Sequence, residues 1–230
     1  MPIYLLGKEL AFPPPSHGPK QGPVAVGGDL DPQRVLLAYA MGIFPWPHQG
    51  LPLLWFSPDP RMVLVPAEIH VPRSLGKVLR RRTFRVTLDN AFVDVMHGCA
   101  EIPRHDQDGT WITNDMIDSY VRLHDMGYAH SVEAWQGDEL AGGLYGVSLG
   151  AVFFGESMFA RVPDASKAAF VTLVRQLEKW QFGMIDCQTY TDHLARFGAE
   201  PWPRRRFLER LARALEAPTR KGRWAFDPTP

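Results

Sequence analysis

Asp186 and Gln188 stand two residues apart in MIDCQTY, residues 184–190, a run that opens with Met184 and Ile185 like a buried strand. Alternate side chains of a strand share a face, so the acid and the amide are expected to point the same way, their Cα atoms about 6.5–7 Å apart. Met184 is expected on that face, and Ile185 and Cys187 on the opposite one. A buried carboxylate is costly unless it is paired or hydrogen-bonded. Two polar side chains on one face near a strand's C-terminal end therefore suggest a site. Upstream, AVFFGESMF places Glu156 after Val152, Phe153, Phe154 and Gly155. If the two strands are neighbours, Glu156 and Asp186 reach one crevice. The competing expectation is that each acid ends its strand and caps the next turn.

Other chemistries find less support. Cys187 has no nearby His or Lys to lower its pKa and reads as a core cysteine. His70, His97, His105, His124, His130 and His193 show no metal-ligand spacing, so no metal is expected. No serine sits in a G-x-S-x-G turn, and Ser157 follows a glutamate.

The elements that must position these residues can be read along the 230-residue chain. Residues 1–60 are rich in Pro and Gly with aromatics among them, and read as irregular chain pinned by buried Trp and Phe. One helix is expected there, DPQRVLLAYAMG, with Pro32 in its first turn and Gly42 as its stop. From Arg61 the texture changes. RMVLVP reads as a strand, RSLGKVLRRR as a basic helix, and FRVTLDNAF as a strand entering a turn or helix. TNDMIDSYVRLHDMG is an amphipathic helix with Thr113 or Asn114 as N-cap. AHSVEAW and ELAGGLYGVSLG form a hairpin through QGDE, and AVFFGESMF follows. DASKAAFVTLVRQLEKW is a helix with Asp164 placed as N-cap. FGMIDCQTY, the short DHLARFG and the helix RRRFLERLARALE complete the chain. EIPRHDQDG, before Trp111, reads as a surface loop. This order predicts an α+β, or mixed α/β, domain with a central mixed sheet and a parallel crossover before MIDCQ. It suits a GNAT-like acyltransferase. Residues 1–61 are expected as a small N-terminal domain and 62–230 as the transfer domain.

Lys+Arg and Asp+Glu both number 25, which excludes a strongly electropositive whole-molecule surface. Two cysteines, Cys99 and Cys187, make no disulfide framework, and the start resembles no secretory signal, so a cytoplasmic location is expected. Every apolar run is too short to span a membrane. A local basic face is present: Arg73, Lys77, Arg80 and Arg81 form one side of the RSLGKVLRRR helix while Leu75, Val78 and Leu79 pack inward. It is a phosphate-binding candidate, with a plain solvated face as the alternative. Trp46, Trp55 and Trp111 stand in Pro- or Gly-bounded loops suited to stacking on a base. In a GNAT enzyme a Gly-rich loop before the main helix cradles the CoA pyrophosphate. Here RVPDASK has Asp164 and Ser166 at those positions, and Asp164 would repel the anion. Together these features point to a nucleic-acid-linked acyl donor.

At these residues the chain resembles the leucyl/phenylalanyl-tRNA–protein transferase family. The matching stretches run from about Gly27 to Leu211 and include GGDLDPQRVLLAY, GIFPW, LLWFSPDPR, TWIT, AHSVEAW, GGLYGV, FFGESMF, ASKAA and IDCQ. The resemblance implies a cytoplasmic bacterial enzyme with a GNAT-like C-terminal domain and no cofactor. It implies transfer of Leu or Phe, less well Met, from aminoacyl-tRNA to the α-amine of proteins starting with Arg or Lys, marking them for N-end-rule degradation. By the same resemblance Asp186 and Gln188 are catalytic, and Trp46 and Trp111 contact the terminal adenosine. Glu156, Met158, Leu144 and Ile185 bind the aminoacyl group, and Arg73, Lys77, Arg80 and Arg81 track the tRNA. Leu144 departs from a common GGMYG pattern, and RFGA replaces a common Ser-Leu-Gly-Ala. An acyl-CoA-dependent acyltransferase and a non-catalytic tRNA-binding module are the alternatives.

Overall fold

The computed structural model describes residues 3–48, 50–102 and 110–227. The Pro- and Gly-rich first 60 residues build a four-stranded sheet, not the irregular chain that their composition predicts. Tyr4–Leu6 (β1), Pro23–Gly27 (β2), Phe44–Pro45 (β3) and Leu54–Phe56 (β4) pair in the order β1-β2-β4-β3. Strands of two to five residues are too short for alternation to show in a sequence. The helix Pro32–Ala40 (α1) lies where expected, its N-cap Asp31 accepting from the backbone N of Gln33. Gly42 turns the chain after it at φ 73°.

From Arg61 the expected elements are present, joined by one short strand, Glu200–Trp202, that the sequence pattern did not suggest. They are Arg61–Leu64 (β5), Arg73–Arg80 (α2), Arg85–Leu88 (β6), Phe92–Glu101 (α3), Asn114–Asp125 (α4), Ala129–Gln136 (β7), Glu139–Leu149 (β8), Val152–Ala160 (β9), Ala165–Lys179 (α5), Met184–Gln188 (β10), Asp192–Ala195 (α6), Glu200–Trp202 (β11) and Arg204–Ala214 (α7). The turn or helix expected after FRVTL is the full helix α3. Most of the expected EIPRHDQDG loop lies outside the described residues. Thr113 caps α4 by accepting from Met116 N. Asp164 holds the N-cap position of α5, but its carboxylate takes Lys167 Nζ at 2.7 Å and makes no cap bond.

The strands form a seven-stranded sheet in the order β11-β5-β10-β9-β8-β7-β6. Within this sheet, among the described residues, only β9 and β10 pair in parallel, joined through α5. The chain is thus an α+β protein with the expected central mixed sheet, helices covering both faces. One face buries Phe154 and Met184 with Tyr39 of α1, Val95 of α3, Tyr120 of α4 and Phe207 of α7. Val24, Ala25 and Trp55 of the small sheet join this same core. The other face buries Phe153 and Ile185 with Leu75 of α2 and Leu173 and Val174 of α5. The chain beyond α7 straps this second face. Trp224 stacks on His130 with centroids 3.7 Å apart, and its backbone N donates to buried Asp89 at 2.6 Å.

Candidate active site

The pairing of β9 with β10 ends at Phe154 and Asp186. Each strand bulges directly afterwards. On β9, Glu156 is left without a partner, because Tyr145 of β8 faces Ser157 while Gly146 faces Gly155. On β10, Cys187 is left out, because Val63 of β5 faces Asp186 while Met62 faces Gln188. A bulge adds one residue to a strand and bends it. Two bulges at the same level part the parallel strands, and a cavity of about 390 Å³ opens there. Gly146 is required beside the first bulge, since a Cβ there would lie 2.2 Å from the Phe154 carbonyl oxygen.

Most of the residues singled out from the sequence meet in this cavity. Trp46, Trp111, Leu144, Glu156, Met158, Ile185 and Gln188 all line it. Phe44, Phe153 and Phe170 make its walls more apolar still. Trp46 is braced by Phe44 and Phe56, with ring centroids 6.2 and 5.4 Å away. Thr189 and Thr191 also line the cavity, and sequence pattern gave no reason to select them.

Asp186 is the exception and corrects the expected geometry. It is wholly buried and lies outside the cavity lining. Its carboxylate is gripped by Arg61, Nε to Oδ1 at 2.8 Å and Nη2 to Oδ2 at 2.6 Å. Gln188 has a φ of 61°, and this left-handed turn with the bulge at Cys187 undoes the alternation that would pair the two side chains. Asp186 Oδ1 accepts from Gln188 N at 2.9 Å, a side-chain-to-backbone turn that holds the unusual conformation. Ile185 and Cys187 do face away from Asp186, but the side they face is the cavity. Cys187 is therefore a half-buried wall residue rather than a core one. Burial, and then the Asp186 charge, push its thiol far above the ordinary range, which leaves no thiolate to act as nucleophile.

Glu156 holds Gln188 instead. Its Oε1 accepts from Gln188 Nε2 and from the Tyr39 hydroxyl, each at 2.6 Å. Its Oε2 accepts from the Tyr120 hydroxyl at 3.2 Å. Burial raises the Glu156 pKa to about 7 against the lowering effect of those three donors, and Asp186 raises it further. Burial and then the Glu156 charge lift both tyrosines well above their ordinary range, so both hydroxyls keep their protons. An ionised carboxylate only accepts, so whenever Glu156 is ionised the amide nitrogen of Gln188 faces it, as observed. The amide oxygen is left for the cavity, with no protein donor to it among the described residues.

Sequence reasoning missed Arg61 and Tyr39 and gave Tyr120 no role in the site. The available signal was the buried acid itself, which demands a cation, and Arg61 opens the strand beside it. The basic helix sits apart from the cavity. Arg73, Lys77, Arg80 and Arg81 are exposed, while Leu75 is buried and Val78 and Leu79 pack inward as expected. Among the described residues no three His, Cys, Asp or Glu side chains converge as metal ligands, and no helix is long and apolar enough to cross a membrane.

A neutral amide oxygen and an apolar pocket flanked by two tryptophans thus sit where two strands part in an α+β sheet; the comparisons with known proteins show the chain to be an aminoacyltransferase. The family model for leucyl/phenylalanyl-tRNA protein transferase matches residues 63–212, and the model for that family's N-terminal domain matches residues 28–59. The chain is 61% identical over 226 residues to the leucyl/phenylalanyl-tRNA–protein transferase of Myxococcus xanthus, covering 97% of both. Its identity to the Stutzerimonas stutzeri protein of the same name is 55% over 221 residues, covering 95% of this chain and 97% of that one. The chain belongs to the leucyl/phenylalanyl-tRNA protein transferase family. A solved structure of L-PGS from Bacillus licheniformis superposes on 70% of this chain and 54% of that one, with a TM-score of 0.39 at 10% identity, too distant to bear on the site.

Proposed function

We propose that the cleft receives the aminoacyl-adenosine end of a charged tRNA and passes Leu or Phe, less well Met, to the N-terminal α-amine of proteins that begin with Arg or Lys. The product is a protein marked for N-end-rule degradation in the bacterial cytoplasm. Residues 1–61 act as a small domain that brings Trp46 to the adenosine, and residues 62–230 act as the transfer domain. The observation that carries this reading is the amide oxygen of Gln188, which takes no donor among the described residues, in a cavity that also holds Trp46 and Trp111.

The donor is an activated ester, so the work is orientation, charge stabilisation and proton movement. The amine nitrogen bonds to the ester carbonyl carbon, and the bond from that carbon to the ribose oxygen breaks. Gln188 Oε1 accepts a hydrogen bond from the attacking amine. A neutral amide is too weak a base to keep the proton. It passes to the departing ribose oxygen by way of the vicinal hydroxyl. Trp46 and Trp111 stack on the adenine. Leu144, Met158, Ile185, Phe153 and Phe170 bury the aminoacyl side chain at about 25 cal/mol per Å². Such a pocket separates apolar side chains of similar size poorly. Arg73, Lys77, Arg80 and Arg81 hold tRNA phosphates. Asp186 acts from behind, fixing the backbone of Gln188.

Single-turnover transfer of radiolabelled Leu from tRNA to an Arg-initiated peptide tests the reading. Gln188→Ala should slow it by about a hundredfold with donor binding intact. Transfer by Gln188→Ala at the wild-type rate would remove Gln188 from the reaction, and no transfer by the wild type would end the proposal.

A further inference from the structure

We propose that Tyr39 and Tyr120 are positioning residues for aminoacyl transfer, acting through Glu156 to keep the amide oxygen of Gln188 turned towards the cleft. The inference rests on the functional reading above and extends the machinery to two helices outside the cavity lining. Tyr39 comes from α1 in the N-terminal segment and Tyr120 from α4, and both are wholly buried. Their hydroxyl oxygens lie 2.5 Å apart, and each also reaches a different oxygen of Glu156.

The two hydroxyls supply two protons to three contacts: Tyr39 to Glu156, Tyr120 to Glu156, and one tyrosine to the other. Two protons fill at most two of these contacts at a time, so with an ionised Glu156 each hydroxyl donates either to the carboxylate or to the other tyrosine, and at least one donates to Glu156. Gln188 Nε2 adds a further donor to the oxygen that Tyr39 already serves. Remove a tyrosine hydroxyl and the buried carboxylate loses part of its solvation, so it takes up a proton more readily. A protonated Glu156 carries an O–H that is best satisfied by a carbonyl oxygen, and the carbonyl within reach is that of Gln188. The amide would then turn round and present its NH₂ to the cleft. An NH₂ group cannot accept a hydrogen bond from an attacking amine. The tyrosines thus decide which end of Gln188 meets the substrate, without touching the substrate themselves.

The titratable and charged groups facing this carboxylate are few. Tyr39 approaches from α1, Tyr120 from α4 and Asp186 from β10, with Arg61 of β5 neutralising Asp186. Tyr145 of β8 lies edge-on to Tyr120, with ring centroids 5.8 Å apart. Burial, the largest influence, already raises the pKa of Glu156 to about 7, so loss of a donor acts within the working pH range.

The test is single-turnover transfer as a function of pH for the wild type, Tyr39→Phe and Tyr120→Phe, with donor affinity measured alongside. The acceptor amine titrates identically in all three, so differences between the curves report the enzyme. At pH 7 each Phe variant should be slower by about tenfold, the scale expected for losing a hydrogen bond to a charged group. Its acid limb should move upward by about one pH unit, its rate should recover towards wild type near pH 9, and its donor affinity should stay within about twofold of wild type. Acid limbs that coincide with the wild type's, or a loss carried by donor affinity alone, would overturn the inference. The two singles are independent, so poor folding of one leaves the other decisive. If Gln188→Ala is slow while both Phe variants behave as wild type, only the positioning role fails; if the wild type transfers nothing, the underlying functional reading fails.

Discussion

Arg61 and Asp186 close on each other as a two-point ion pair with both side chains wholly buried, and that pair lies directly behind the residue proposed to meet the substrate. Arg61 is also sandwiched between Phe44 and Phe207, its guanidinium carbon 4.7 and 4.6 Å from their ring centroids. The pair ties the start of β5 to the bulge of β10. It therefore joins the chain that leaves the small sheet to the strand that carries the cleft.

Breaking that pair from one side should be costly. Arg61→Ala or Asp186→Ala leaves a lone buried charge, and each should lose about 3–5 kcal/mol of stability. Removing both with apolar residues of similar size, Arg61→Met with Asp186→Leu, should cost less than the two singles combined. Urea unfolding of the four proteins reads this directly. A single variant with an unchanged midpoint would mean the pair contributes little.

Glu156 predicts how stability depends on pH. Its folded pKa of about 7 lies above the ordinary 4.5. Between those values the folded protein binds more protons than the unfolded chain, so this group makes stability fall as pH rises through the folded pKa, levelling off about one unit above it. The opening to the cavity discounts the full shift, and the expected loss is on the order of 2 kcal/mol. Glu156→Gln should flatten the decline. Unfolding midpoints at pH 5 and pH 8 that differ equally in wild type and variant would contradict the assignment.

The basic face of α2 predicts salt-sensitive and largely sequence-independent tRNA binding. Replacing Arg73, Lys77 and Arg80 together by Ala should reduce the slope of log Kd against log salt by about 2. Affinity measured from about 50 to 200 mM salt covers the needed range. An unchanged slope would assign the tRNA contact to another surface.

Much of the large sheet was legible because its strands and helices are long enough to show period. Thr113 as a cap, the QGDE hairpin turn and the α5 crossover each follow from a local rule, and each is present. The small sheet was not legible, because its strands are held by contacts with each other and with α1 rather than by pattern. Trp46, Trp111, Glu156, Met158, Leu144 and Ile185 could be chosen from motifs and do share one cavity. The Asp186–Gln188 relationship could not be read correctly. Period-2 reasoning assumes an unbroken strand, and here one bulged residue and one positive φ reverse the outcome.

The amino-acid sequence alone determined the class of fold, the chemistry available and the family resemblance, since these depend on residue types and on spacing along the chain. Only the tertiary structure decided which carboxylate serves which partner. Asp186 goes to Arg61, 125 positions away, and Glu156 goes to Gln188, 32 positions away, and to Tyr39, 117 positions away. The reason is physical: a buried acid takes whatever donor the packed chain brings within about 3 Å, and that distance is set by helices and strands remote in sequence.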